Sequence, residues 1–229
     1  MRTRGKLTVA AVLLLSLCAL LALWAGAAPG TYETTVLFTH DLHSHFFPQE
    51  DGAGGQSGGY ARLKTAIDRE KAAHPGALVL DGGDFSIGSL VQALYTTQAP
   101  ELRTMGAMGY DAATVGNHEF DHEGGGFAQM LQAAVLSNGK VPALVMANYK
   151  PSPGNPDALD IQRAMSAYGV QETMLLERGG VTYGIFGLMG KDSDSCAPSS
   201  GFVLEDPETA AKRCVAALRN QGAQFIICL

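Results

Sequence analysis

One stretch of the chain, Ala112-Ala113-Thr114-Val115-Gly116-Asn117-His118-Glu119-Phe120-Asp121, joins a short apolar run to a compact polar cluster. The run at 112–115 is typical of a buried strand, and the glycine after it predicts a tight turn. On that turn Asn117 offers an amide oxygen and His118 an imidazole. Donors of these two kinds at the end of a strand indicate a candidate site for metal or proton chemistry.

Two earlier apolar runs also end in polar residues. Asp41 and His43 follow the run at 35–39, and because they are two positions apart an extended chain would direct both side chains to the same side. After the next run, Gly82-Gly83 lets the backbone turn sharply, so that Asp84 emerges at the same carboxyl edge of the sheet. A carboxylate there can bridge two cations. We therefore expect ligands from three strands to converge.

Short apolar runs alternate with helical patterns along the chain, which is the rhythm of β-α-β units. The runs are continuous rather than alternating, and this predicts an α/β fold with parallel strands that are buried on both faces. The predicted strands lie at 35–39, 77–80, 112–115, 143–146, 173–176, 181–186 and 225–229. The predicted helices lie at 60–73, in a stretch that runs through Met108, at 127–136 and after an N-cap at Asp206. Glycine and proline place surface loops at 52–59 and 150–157.

The mixture of carboxylate, amide oxygen and imidazole suits Mn²⁺, Zn²⁺ or Fe better than Cu(I) or Ca²⁺. Two such cations about 3.5–4 Å apart would hold a phosphate oxygen, lower the pKa of bound water towards about 7 and stabilise in-line displacement at phosphorus. A lone Asp-x-His or Gly-Gly-Asp is common in turns without a metal. The order of the three clusters, at successive strand ends, is what favours metal-assisted hydrolysis of a phosphate ester.

The motif at 116–121, together with Gly59-Tyr60-Ala61-Arg62 at a predicted helix start, resembles the calcineurin-like metallophosphoesterases. Within them it is similar to the exported bacterial branch of 5′-nucleotidases and 2′,3′-cyclic phosphodiesterases, the bifunctional metallophosphatase/5′-nucleotidases. The resemblance covers roughly residues 34–229. It implies a metallophosphoesterase-type αββα sandwich that acts on a small phosphorylated substrate, in particular a nucleotide.

The resemblance also implies a role for each polar residue. The implied ligands of two divalent metal ions are Asp41 and His43 for the first ion, Asn117 for the second and Asp84 as the bridge. His118 is the implied catalytic residue, donating a proton to the phosphate or to the leaving oxygen. Asp121 would accept the other ring N–H of this histidine and fix its tautomer. Glu119 and Phe120 are expected to shape the turn.

The chain also departs from that family. Relatives carry a later Ser-His step and then a Gly-His-x-His motif, which complete both metal sites, whereas no histidine follows His122 here. The second domain, which stacks the nucleobase on aromatic residues in this branch, is missing too. We therefore expect a C-terminally truncated relative, with residues 29–229 forming the N-terminal part of a metallophosphoesterase domain. Its sandwich would be incomplete at the C-terminal side, and it would turn over substrate poorly alone.

The N-terminus is typical of export. Three basic residues precede an uncharged stretch at 7–28, which we interpret as a cleaved signal peptide or, alternatively, a membrane anchor. Of the 16 Lys and Arg residues three lie before position 29, so residues 29–229 carry 13 against all 22 Asp and Glu, a net charge of −9. Such an acidic body argues against nucleic acid as a partner. Membrane contact is expected only through the N-terminal segment.

Two alternatives to the hydrolase stay open: a non-catalytic fragment that binds one ion through the first cluster and Asp84, and a membrane-anchored binding domain. Serine-hydrolase and P-loop chemistry are excluded because neither G-x-S-x-G nor GxxxxGK[ST] occurs. His40 is expected to bond to the backbone rather than to a metal ligand. Cys228 is expected to be a small buried side chain within its apolar run.

Overall fold

The computed structural model describes residues 33–229. The expected signal peptide or anchor at 1–28 therefore lies outside the described residues. Within residues 33–229, no helix has both the length and the apolar character needed to cross a membrane.

Eleven strands and seven α-helices make up the described residues. The strands are β1 (Val36–Thr39), β2 (Gln49–Glu50), β3 (Gln56–Ser57), β4 (Leu78–Asp81), β5 (Ala112–Ala113), β6 (Ala143–Leu144), β7 (Tyr149–Pro151), β8 (Thr173–Arg178), β9 (Val181–Phe186), β10 (Phe202–Leu204) and β11 (Phe225–Cys228). The helices are α1 (Tyr60–Ala73), α2 (Tyr95–Gln98), α3 (Pro100–Met108), α4 (Glu123–Leu136), α5 (Ala158–Tyr168), α6 (Lys191–Cys196) and α7 (Pro207–Asn220). Two 3₁₀ turns span Leu90–Leu94 and His118–Phe120.

The strands form two principal sheets. The first has four parallel strands in the order β1-β4-β5-β6. The second has the order β11-β9-β8, with β11 parallel and β8 antiparallel to β9. Two short antiparallel pairs, β2-β3 and β7-β10, complete the pairing. The predicted parallel sheet is confirmed, and the strands predicted at 173–176 and 181–186 are present as the antiparallel pair β8 and β9.

The two sheets pack face to face through side chains that alternate along β4. Leu78 and Leu80 share one core with Tyr183 and Ile185 of the second sheet, whereas Val79 belongs to a core on the opposite face of the first sheet. This alternation follows from the two-residue period of a strand. Strand β4 is therefore buried on both faces, as its continuous apolar run predicted.

Helices cover the outer face of each sheet. The outer face of the first sheet packs against residues of four helices: Ile67 of α1, Met105 of α3, Leu131 of α4 and Ile161 of α5. On the other side, Cys214 and Leu218 of α7 pack against Phe186 of the second sheet. The order of layers is helix, sheet, sheet, helix, and the predicted αββα sandwich is confirmed. The expectation that the sandwich is incomplete at its C-terminal side stays a prediction.

Helix α4 begins four residues before the predicted start at 127. The difference arises from the glycines in its first turn, which are poor helix formers. A Cβ on Gly124 would lie 2.8 Å from Ile161 Cδ1 and 2.5 Å from Ser200 O. The glycine therefore permits close packing of α4 on α5, and this tertiary contact offsets the poor helix propensity of glycine. Helix α5 was not predicted, because the segment before it at 150–157 is rich in proline and glycine and was predicted to be a surface loop.

Other local differences follow from the sheet edges. Strands β7 and β10 were not predicted, since each is short and gains its pairing only from the other. Cys228 is exposed rather than buried, because β11 is an edge strand of the second sheet. The N-cap of α7 is confirmed, with Asp206 Oδ1 accepting a hydrogen bond from Thr209 N at 3.0 Å.

Candidate metal centre

Three loops meet at the carboxyl ends of β1, β4 and β5, as the sequence predicted. The backbone N–H of Asp41 donates to Gly83 O and that of His43 donates to Asp84 O, both at 3.0 Å. The third loop joins through His118 N, which donates to Asp84 Oδ1 at 2.9 Å. Asp84 thus lies between the other two loops and bonds to both.

The first loop is a turn and not the extended segment that the sequence analysis assumed. Asp41 and His43 have φ angles of 52° and 44°, in the left-handed region that non-glycine residues rarely occupy. Their side chains nevertheless meet, with Asp41 Oδ1 3.3 Å from His43 Nε2. The predicted proximity is therefore confirmed, but the geometric reason given for it was wrong. Clustered left-handed residues are a common feature of functional sites.

The His43 imidazole is oriented by the loop after β4. Its Nδ1 lies 3.0 Å from Ile87 O, and the Nδ1–H can donate to that carbonyl. With Nδ1 engaged in this way, Nε2 faces Asp41 Oδ1 at 3.3 Å, and a neutral ring would offer its Nε2 lone pair to a cation between them, the arrangement usual for metal-binding histidines. The ring packs edge to face against that of His118, with centroids 4.9 Å apart.

His43, Asp84 and His118 form a group that fits a metal ion, because one ligand atom from each lies within 4.8 Å of the others. Two of these residues are predicted ligands, and the third is the predicted catalytic histidine. Asp41 joins the group through its contact with His43. Asn117 directly precedes His118 at the start of the 3₁₀ turn, and its amide group makes no hydrogen bond within the described residues.

Two glycines allow the second and third loops to approach. Gly83 has φ = 97°, and a Cβ there would lie 2.5 Å from Gly116 N. A Cβ on Gly116 would lie 2.2 Å from Asp84 Oδ1. Neither distance is compatible with a side chain, so the position of Asp84 depends on glycine at both sites. The predicted sharp turn before Asp84 is confirmed.

Glu119 ties the same two loops together from beneath. It is fully buried, and its Oε2 accepts from Asp84 N and Gly116 N while its Oε1 accepts from the N–H and the hydroxyl of Ser86. Burial, together with the negative charge of Asp84, raises the pKa of Glu119 to about 7. The hydrogen bonds from Gly116 and Ser86 lower this pKa but do not cancel the increase. The expectation that Glu119 shapes the turn is confirmed, although its long-range partners were not foreseen.

We expect Glu119→Gln to lower the free energy of unfolding by about 3 kcal/mol, because the amide NH₂ would face buried N–H or O–H donors that need an acceptor. Urea unfolding in EDTA measures this change without metal. Glu208→Gln, an exposed change in the pair with Lys212, should stay within about 0.5 kcal/mol of the parent. Equal stability of the two variants would contradict the bridging role of Glu119.

His118 and Asp121 form the predicted pair. His118 Nδ1 lies 3.1 Å from Asp121 Oδ2, and both side chains are about one third exposed. Burial lowers the pKa of His118, but the hydrogen bond and charge of Asp121, with the charges of Asp84 and Glu119, outweigh it, so that the pKa lies above its ordinary value. The pair therefore presents a ring that can carry and donate a proton near neutral pH.

His40 contacts a predicted ligand, contrary to expectation. Its Nδ1 bonds to Asp41 Oδ2 and not to the backbone. This bond is the largest cause that lowers the pKa of Asp41, opposed by burial and assisted by His43. Asp41 is thus held as a carboxylate, which is the form that binds a cation.

The sequence and the fold of the chain are similar to those of known proteins. Residues 34–149 match the sequence model of the family described as calcineurin-like phosphoesterase. A probable 5′-nucleotidase of Treponema pallidum is 31% identical over 213 residues, covering 87% of this chain and 32% of that protein. The human 5′-nucleotidase is 34% identical over 226 residues, covering 96% of this chain and 36% of that protein.

A solved structure extends the likeness to the fold. The 5′-nucleotidase precursor from Thermus thermophilus superposes with a TM-score of 0.69 at 28% identity, over 85% of this chain and 36% of that one. The chain therefore spans about a third of the length of the relatives that it matches.

Proposed function

The chain belongs to the calcineurin-like phosphoesterase family, and on that premise we propose that its three loops form a centre for metal-dependent hydrolysis of nucleotide phosphate esters. The observation that carries the proposal is the convergence of His43, Asp84 and His118 within 4.8 Å from three separate strand ends. The names of the relatives support the substrate class, since they include 5′-nucleotidases that match this chain at 31–34% identity.

We propose that the centre holds two divalent ions, chosen from Mn²⁺, Zn²⁺ and Fe. The proposed ligands are Asp41 and His43 for one ion, Asn117 for the other and Asp84 for both. Bound cations of this kind supply positive charge to the phosphate oxygens and lower the pKa of water to about 7. Three observations support the fit: the Nε2 of His43 faces Asp41 Oδ1, the pKa of Asp41 is lowered, and the amide of Asn117 makes no hydrogen bond within the described residues.

We assign the proposed proton transfer to His118. Its Nδ1 is engaged by Asp121, so the Nε2 is the atom that can donate to the phosphate or to the leaving oxygen. In the metal-free chain burial lowers the pKa of His118, but Asp121, Asp84 and Glu119 raise it by more, which favours the protonated ring that a proton donor needs. Asn117, next to it in the chain, is placed to contact the same phosphate.

The placement in the cell and the extent of the domain are also proposals. The basic residues and apolar stretch at 1–28 support export to the periplasm, the cell surface or the medium, with membrane contact only through that segment. The family match over residues 34–149 supports the proposal that residues 29–229 belong to a phosphoesterase domain.

Removal of metal tests the hydrolase. We expect EDTA to abolish release of nitrophenol from p-nitrophenyl phosphate and of phosphate from AMP, and Mn²⁺ to restore both. Mn²⁺ should not restore hydrolysis in Asp84→Asn, because this variant lacks the proposed bridging carboxylate. Hydrolysis that continues unchanged in EDTA would contradict a metal-dependent mechanism.

A second candidate is a centre that binds a single ion without turnover. The grouping of His118 with His43 and Asp84 favours it, since a histidine that ligates a cation is not free to transfer a proton. Calorimetric titration with Mn²⁺ separates the two functions. One ion per chain, with affinity lost in His118→Ala, would favour the single-ion centre, and affinity unchanged by this substitution would favour the hydrolase.

A further inference from the structure

A buried hydrogen bond lies directly beneath the turn that carries Asp41 and His43. Ser44 Oγ donates to Glu101 Oε1 at 2.6 Å, and neither residue is more than 1% exposed. Glu101 is the second residue of α3, so the bond connects the turn to a helix 57 positions further along the chain. Neither residue belongs to the proposed ligands or to the proton-transfer pair.

The N–H, the carbonyl and the hydroxyl of Ser44 each make a hydrogen bond. Its N–H donates to Phe85 O at 3.0 Å, and its carbonyl accepts from Ser89 Oγ at 2.7 Å. Its φ angle of 49° is left-handed, a conformation that serine adopts only when its surroundings impose it. Ser44 is joined to His43 by a peptide bond, so the conformation of Ser44 constrains the backbone that carries the imidazole.

The Glu101 carboxylate is poorly explained by stability alone. Its Oε2 is buried with no hydrogen-bond partner among the described residues, as is the hydroxyl of Tyr60. Burying a carboxylate with one oxygen unsatisfied opposes folding, and an apolar side chain of similar size would fill the same space without that cost. Among the side chains that the structure describes, Ser44 is the one that donates a hydrogen bond to this carboxylate.

We propose that Glu101 is a positioning residue, which acts through Ser44 to hold the turn in the conformation that directs His43 towards Asp84 and His118. This inference rests on the proposed function, since it assigns the turn to metal binding. Within the described residues, Glu101 makes no hydrogen bond to the proposed ligands. Its effect is on the orientation of the imidazole, and therefore on metal affinity.

The test compares Mn²⁺ affinity in the full chain, by calorimetry, with a metal-free readout. Glu101→Met removes the acceptor, and we expect Mn²⁺ affinity to fall about 10-fold or more, the usual effect of losing a partner behind a ligand. Glu101→Gln keeps an acceptor for Ser44 and should retain the parent affinity. In EDTA, the His43 imidazole resonances should shift in Glu101→Met and stay in place in Glu101→Gln.

Two further variants separate positioning from stability. Ser200→Ala also removes a buried hydroxyl, one that bonds to Tyr149 away from the three loops, and should reduce the melting temperature while leaving Mn²⁺ affinity unchanged. The double variant Ser44→Ala with Glu101→Met leaves no partner unpaired and should keep its fold if either single variant unfolds. Its Mn²⁺ affinity should still be about 10-fold or more below the parent.

Parent affinity and unshifted His43 resonances in a folded Glu101→Met, or in the double variant, would overturn the positioning role. That outcome differs from failure of the proposed function, in which the parent chain binds Mn²⁺ but hydrolyses no phosphate ester. A loss of affinity in Ser200→Ala equal to that in Glu101→Met would also overturn the proposal, because stability alone would then account for both.

Discussion

We expect the replacement of His118 with alanine to lower the rate of phosphate ester hydrolysis by about 10²- to 10⁴-fold, the range expected when a positioned proton donor is lost. The structure supports this size of effect because the ring is fixed by Asp121 at 3.1 Å and lies against His43 in the candidate centre. Steady-state hydrolysis of p-nitrophenyl phosphate in saturating Mn²⁺ measures the change.

His122 is the matched control for this substitution. It is an exposed histidine four positions later, and its ring stacks on Tyr95 with centroids 5.5 Å apart. We expect His122→Ala to keep the parent rate within a few-fold and both variants to have similar melting temperatures. A folded His118→Ala with the full rate would remove this histidine from the mechanism.

Gly116→Ala is expected to have the largest effect on the metal centre itself. The added methyl group would lie 2.2 Å from Asp84 Oδ1 and 3.0 Å from Asp84 N, so the carboxylate must move. The same oxygen accepts from His118 N, and its displacement therefore disturbs the third loop as well. We expect Mn²⁺ affinity to fall at least about 10-fold and the free energy of unfolding to fall by about 1–3 kcal/mol.

Two other glycines supply controls for that result. A Cβ on Gly125, inside α4, meets no atom within 4 Å, so Gly125→Ala should stabilise the protein by about 0.5–1 kcal/mol without changing Mn²⁺ affinity. Gly106→Ala would place its Cβ 1.9 Å from Lys140 O, which lies in none of the three loops. Gly106→Ala should therefore destabilise the protein and leave its Mn²⁺ affinity unchanged. If Gly116→Ala binds Mn²⁺ like the parent, Asp84 is not held where the structure has it.

The layers of the fold and the identity of the three loops were predictable from the sequence, because they depend on local patterns. Apolar runs marked β1, β4 and β5, and glycines marked the turns that follow β4 and β5. The alternation that packs one sheet on the other was already present in Leu78, Val79 and Leu80. These signals need no knowledge of distant contacts.

The structural support of the centre was not predictable, because it comes from residues far apart in the chain. Glu119 bonds to Ser86 across 33 positions and Ser44 bonds to Glu101 across 57. The left-handed turn at Asp41 and His43 arises from these surroundings, whereas the residue types alone favoured an extended segment. The contact of His40 with Asp41 was missed for the same reason: it follows from the turn.

The central claim is that three strand-end loops build a two-metal centre in which His118 stays free for proton transfer. Anomalous diffraction from crystals of the chain soaked in Mn²⁺ tests it most directly. We predict two anomalous peaks, one bound by Asp41, His43 and Asp84 and the other by Asp84 and Asn117. A single peak with His118 as a ligand, or no peak at these loops, would contradict the account.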